Sequence, residues 1–110
     1  MPILFPRPAF IAAVNERIAW LAENRTEEQL ENFLSGLADV RRRIEHSPEA
    51  GPPLKRSNAY VLRMRLFPRP LPYLVYYGHG RERPLTEIYL VRLYGSGQDR
   101  EDVDMSDWPW

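Results

Sequence analysis

The feature that most constrains this chain is a change of hydrophobic period across a proline-rich break. Before Pro48, apolar residues recur every three or four positions, whereas after Tyr60 they alternate every second position. A period near 3.6 belongs to a helix buried along one stripe, and a period of 2 belongs to a strand. The order predicted is therefore helices first, then a sheet. Pro48, Pro52 and Pro53 fix the boundary, because a proline lacks the N–H that a continuing helix needs and clashes with the preceding turn.

Within the first half, Pro6-Arg7-Pro8 ends a short strand at residues 3–5 and supplies a proline suited to a first helical position. Phe10, Ile11, Val14, Ile18 and Leu21 then form one apolar stripe, which Asn24-Arg25 interrupts. Thr26, Glu27, Glu28 and Gln29 match a capping box, in which the Thr hydroxyl and the Gln amide satisfy each other's orphan backbone donors. Leu30, Phe33, Leu34, Leu37, Val40 and Ile44 give the second helix its buried face, and Arg41, Arg42 and Arg43 fall where positive charge complements the helix dipole. The first 47 residues thus predict a helical hairpin.

In the second half, Tyr60, Leu62, Met64 and Leu66 alternate with Val61, Arg63, Arg65 and Phe67. Residues 73–77 are apolar on both faces, as a central strand requires. Residues 78–84 have the composition of a turn, and a last β-rich run covers 86–94. The connections are too short for crossover helices, so these strands predict an antiparallel meander. The fold class expected is α+β, with the N-terminal helical hairpin packed on one face of a small antiparallel sheet. The 110 residues suit one domain over 1–100, followed by an acidic, tryptophan-containing tail over 101–110.

Several function classes lose support at this level. Without cysteine there is no disulfide, thiolate metal site or thiol nucleophile. His46 and His79 are the only histidines and show no ligand spacing, so neither metal nor cofactor is expected. Gly78-His79-Gly80 and Gly95-Ser96-Gly97 each offer a G-x-G, but neither opens a helix whose N-terminus would hold a phosphate. No apolar run approaches the roughly 18 residues of a membrane span, and the N-terminus lacks a secretory pattern, so a cytoplasmic protein is expected. The formal charge of zero hides an uneven distribution: −2 over residues 1–50, +6 over 51–95 and −4 over 96–110. A basic middle can meet phosphate or an acidic protein partner.

The sheet arginines concentrate that charge. If Tyr60, Leu62, Met64 and Leu66 face the helices, Arg63 and Arg65 point to the opposite face. Arg92 and Tyr94, which share one parity with Ile88 and Leu90, would join them there. Such a group can clamp a phosphodiester, stack a base or bind an acidic segment. The alternative is that the arginines pair with surface acids while their stems cover apolar neighbours.

Taken in order, a helical hairpin ending in SPEAGPPL, the strand YVLRMRL, the strand LPYLVYY and the closing TEIYLVRLYGSGQDR resemble the RelE/ParE superfamily of toxins from type II toxin–antitoxin modules, also known as plasmid stabilisation proteins. The resemblance covers about residues 8–100. It implies a small α+β toxin neutralised by a cognate antitoxin, alone or as a homodimer or heterotetramer with it. Two branches follow: ParE-like members poison DNA gyrase, and RelE-like members cleave mRNA on the ribosome without metal. For the second branch, Arg63, Arg65, Arg92 and Tyr94 are the candidate catalytic residues; for the first, the same four are candidate partner-binding residues. Tyr94 stands where the family pattern often has a histidine, and tyrosine ionises near pH 10, which makes it a poor general base. That replacement, the single lysine and the neutral net charge favour the ParE-like branch. A binding-only homologue is a third possibility. Trp108 and Trp110 extend past the family pattern and are expected to dock on the domain or on a partner chain.

Overall fold

In a computed structural model, the chain is described over residues 1–95, with Gln98, Arg100 and Val103. Its elements follow in the order β1 (Ile3–Pro6), α1 (Pro8–Asn24), α2 (Glu27–His46), β2 (Pro53–Arg56), β3 (Tyr60–Leu66), β4 (Tyr73–Gly80) and β5 (Glu87–Gly95). Pro8 opens α1, and Arg25 closes it with an N–H donated to the Leu21 carbonyl. The expected capping box forms at α2: Gln29 N donates to Thr26 Oγ1 at 3.2 Å, and Thr26 N donates to Gln29 Oε1 at 3.3 Å. Of the three arginines near the end of this helix, Arg42 and Arg43 both pair with Asp39, each at 2.9 Å, which fits a solvated helix face.

The helical hairpin packs on a five-stranded sheet of order β1-β5-β4-β3-β2, so β4 is the central strand, as its apolar run predicted. β2, β3, β4 and β5 pair antiparallel in succession, whereas β1 joins β5 in parallel. Both edge strands are four residues long and carry a proline, Pro6 or Pro53, which blunts them against further pairing. Two features depart from the sequence expectation. The proline-rich break contains the short strand β2, and β4 runs through Gly78 and His79 to Gly80, so these residues are strand and not turn.

Each face of the sheet is buried. On the helix side, Phe10 and Leu21 of α1 and Phe33, Val40 and Ile44 of α2 pack against Val75, Tyr77, Ile88, Leu90 and Leu93, and each fully buried large side chain contributes about 1.5–3 kcal/mol. Phe33, Phe67 and Tyr73 meet ring to ring at 5.0–5.8 Å. The opposite face has a second core of Leu62, Leu74, Tyr76, Val91, Tyr94 and Val103, with Met64 and Tyr89 beside it.

This arrangement reverses the expected orientation of β3. Residues directly opposite each other in a ladder share a face. Arg63 pairs with Tyr77 and Arg65 with Val75, both helix-side core residues, whereas Met64 pairs with Tyr76 on the far side. Leu62 and Met64 therefore turn away from the helices, and Arg63 and Arg65 lie on the helix side. On β5 a bulge changes the phase: Tyr76 pairs with Arg92, but the next residue, Tyr77, pairs with Leu90. Ile88 and Leu90 consequently face the helices while Val91 and Tyr94 face away, so the parity assumed for Arg92 and Tyr94 with Ile88 and Leu90 is broken at that point.

Candidate functional site

The four sequence candidates thus fall into two groups on opposite faces. Arg63 is almost fully buried and spends its guanidinium inside the protein. Its Nε donates to His79 Nε2 at 2.9 Å, and its Nη1 donates to the carbonyls of Gly51 at 2.9 Å and Glu49 at 3.2 Å. His79 is completely buried, and its Nδ1 lies 2.7 Å from the Gly80 carbonyl. A nitrogen accepting from Arg63 carries the lone pair, so the proton sits on Nδ1 and is donated to Gly80: the ring is neutral, in the Nδ1–H tautomer assigned from its partners. Burial is the main cause that holds His79 below its ordinary pKa. The Arg63 and Arg83 guanidinia add to the lowering, against the Gly80 carbonyl and Glu49.

Tyr77 completes the cluster. Its hydroxyl donates to the Pro48 carbonyl at 2.6 Å and accepts from Gly51 N at 3.2 Å. Burial raises its pKa, opposed by the Gly51 hydrogen bond and by Arg63 and Arg65. Arg63, Tyr77 and His79 together hold the loop that leads from α2 into β2, and the Arg83–Glu49 ion pair ties that loop to the β4–β5 connection. An arginine, a histidine and a tyrosine within one site are the residue types of metal-free phosphoryl chemistry. Here, however, both His79 nitrogens are occupied and the ring is sealed from solvent, so it has no nitrogen with which to move a substrate proton. The cluster is a clamp.

On the other face, Tyr94 is buried with its ring edge-on to Tyr76, centroids 5.0 Å apart. Arg92 is half-buried, with Nη1 on the Val91 carbonyl at 2.9 Å. Val103 is buried in this aromatic core, and its carbonyl accepts from Nζ of Lys55, the chain's single lysine, at 2.8 Å. A residue of the C-terminal segment is thus seated on the second face of the sheet. The docking expected for Trp108 and Trp110 lies outside the described residues, as do Ser96 and Gly97. Gly95 ends β5, with its N–H donated to Gln98 Oε1 at 2.5 Å.

What remains for a partner is the margin of the second face: Arg92, half-buried, beside the buried Tyr94–Tyr76 pair and the Lys55–Val103 contact. Of these, Tyr76, Lys55 and Val103 were not singled out from sequence; the two consecutive tyrosines at 76 and 77 were the available signal, since in a strand they must serve opposite faces. Among the described residues no group of His, Asp and Glu is placed to hold a metal ion, and no helix is long and apolar enough to cross a membrane. Comparisons with protein-family models, with curated proteins and with solved structures returned no match.

Proposed function

We propose that this chain is a growth-inhibiting toxin of the RelE/ParE kind that acts by protein–protein contact on DNA gyrase and is held inactive by a small cognate antitoxin. Support for the reading comes from chain order: the helical hairpin α1–α2 precedes the arginine-bearing strand β3, the tyrosine-rich strand β4 and the closing strand β5, with β1 ahead of the hairpin and the short β2 after it. The observation that carries the binding reading over the catalytic one is the separation of the four candidates. Arg63 is consumed by the protein's own backbone, Arg65 shares its face, and Arg92 and Tyr94 lie across the sheet. Cleavage of a phosphodiester without metal needs an acid, a base and a cation converging on one phosphate, and this set does not converge.

The test is induced expression with and without the product of the adjacent reading frame, followed by assays of purified, antitoxin-free chain. Growth arrest that co-expression relieves, with inhibited supercoiling and intact mRNA, is the expected outcome. Loss of mRNA in a translating extract with supercoiling untouched would establish the ribosome-directed nuclease instead. In that case Arg92→Ala and Tyr94→Phe should abolish cleavage, since these two share a face while Arg63, on the other face, is held by the protein's own groups. Absence of arrest under either condition would leave a binding-only homologue and refute the toxin.

A further inference from the structure

Away from both clusters, a groove opens where the end of α1 and the start of α2 meet the β3–β4 connection and the end of the sheet. This open groove has a volume of about 520 Å³ and is lined by Arg17, Trp20, Arg25, Asn32, Phe33 and Tyr73, with Leu21, Leu71 and Pro72 as its apolar part. Trp20 remains 39% exposed although it stands on a helix otherwise packed on the sheet. Two guanidinia hold this indole, Arg25 at 4.5 Å and Arg17 at 5.2 Å from the ring centroid, and Arg17 also lies 5.7 Å from the Tyr73 ring.

These contacts are within cation–π range and engage the faces of the guanidinium groups. The N–H donors lie in the guanidinium plane, so a stacked arginine still offers them to a carboxylate. Among the described residues neither Arg17 nor Arg25 has an ion-pair partner, although Arg25 Nη1 donates to the Asn24 carbonyl at 2.9 Å, and the Asn32 amide makes no hydrogen bond. The groove thus combines two pre-positioned cations, an amide and an apolar floor.

We propose that this groove docks a segment of a partner protein that carries acidic residues beside an aromatic or aliphatic anchor. The carboxylates take the in-plane donors of Arg17 and Arg25, and the anchor enters over Leu21, Leu71 and Pro72 against Phe33. A nucleic acid fits less well. The rings that would stack bases, Trp20 and Tyr73, are already engaged by guanidinia. An open groove between a helix end and a sheet end also suits an extended peptide better than an enclosed small molecule.

The test is selection of a random peptide library on the immobilised full chain, with the charge-reversed double variant Arg17→Glu/Arg25→Glu screened in parallel. The expected consensus places Asp or Glu next to Trp, Phe or Leu. The selected peptide should lose at least about tenfold affinity on the double variant, the loss of one charge-assisted hydrogen bond. The double variant itself should select Lys or Arg at the acidic positions. Arg25→Glu alone changes an exposed side chain and keeps the test valid if the double variant is misfolded by circular dichroism. A consensus without acids, failure to enrich any peptide, binding indifferent to charge reversal, or preferential binding of a labelled oligouridylate that depends on these arginines would each overturn the proposal.

Discussion

Replacing Arg63 with methionine separates a clamp from a surface binding residue. Methionine keeps much of the aliphatic stem but removes three hydrogen bonds at once, those to His79 Nε2, Gly51 O and Glu49 O. The Gly51 carbonyl and the His79 nitrogen are buried, and each buried acceptor left without a donor costs about 1–3 kcal/mol. The Glu49 carbonyl is only partly buried and recovers water, so the total comes to about 2–6 kcal/mol, a large share of the 5–15 kcal/mol typical of a domain. At roughly 4–8 °C per kcal/mol for a domain near this size, the midpoint of thermal unfolding should fall by about 8 °C or more. The control is Arg65→Met on the same strand and face. Arg65 is partly exposed and makes no hydrogen bond or ion pair with the described residues, so its loss should cost less than about 1 kcal/mol. Urea unfolding of both variants, with the slope checked against the parent chain, gives the comparison. Equal and small losses for the two would refute the clamp and return Arg63 to the list of surface candidates.

The same cluster sets a pH dependence. His79 is held below its ordinary value in the folded chain, so the unfolded chain takes up the proton first. Its contribution is complete above the ordinary histidine range near 6.5 and is lost as pH falls below it, by at most about 1.4 kcal/mol per pH unit for one proton. Urea unfolding at a series of pH values from 8 down to 5 should show this decline, and His79→Gln should flatten it; an unchanged slope in the variant would assign the decline to other groups. Gly51→Ala tests the loop from its other side. An added Cβ would press on Tyr77 Oη and lie 2.5 Å from the Met64 backbone carbonyl, which cannot swing aside. The expected loss is about 1–3 kcal/mol, measured by thermal unfolding, and a neutral substitution would mean that the loop is not held where Tyr77 and Arg63 place it.

What the sequence determined by itself was local. The capping residues Thr26 and Gln29, the stripes of α1 and α2, the strand at 60–66 and the central strand after Pro72 were legible because each depends on neighbours a few residues away. So was the helical hairpin on a sheet. Tertiary structure alone decided which side of each strand faced the helices. Alternation states that Leu62 and Arg63 point in opposite directions but does not say to which layer each belongs. The usual guide, that the more apolar set turns toward the helices, failed because both faces of this sheet are buried, one by α1 and α2 and the other around Tyr76, Tyr94 and Val103. A buried arginine was tolerable on the helix side because the 48–51 loop brings two carbonyls, and β4 a histidine, within reach of its donors, and those partners lie 12 to 16 residues away in sequence. The bulge beside Arg92 then shifted the phase of β5 by one residue, which set Arg92 and Tyr94 apart from Arg63 and Arg65. Four residues that alternation gathered on one face were divided by packing, because a periodic pattern fixes relative direction along a strand and only the layers stacked on the sheet give that direction a destination.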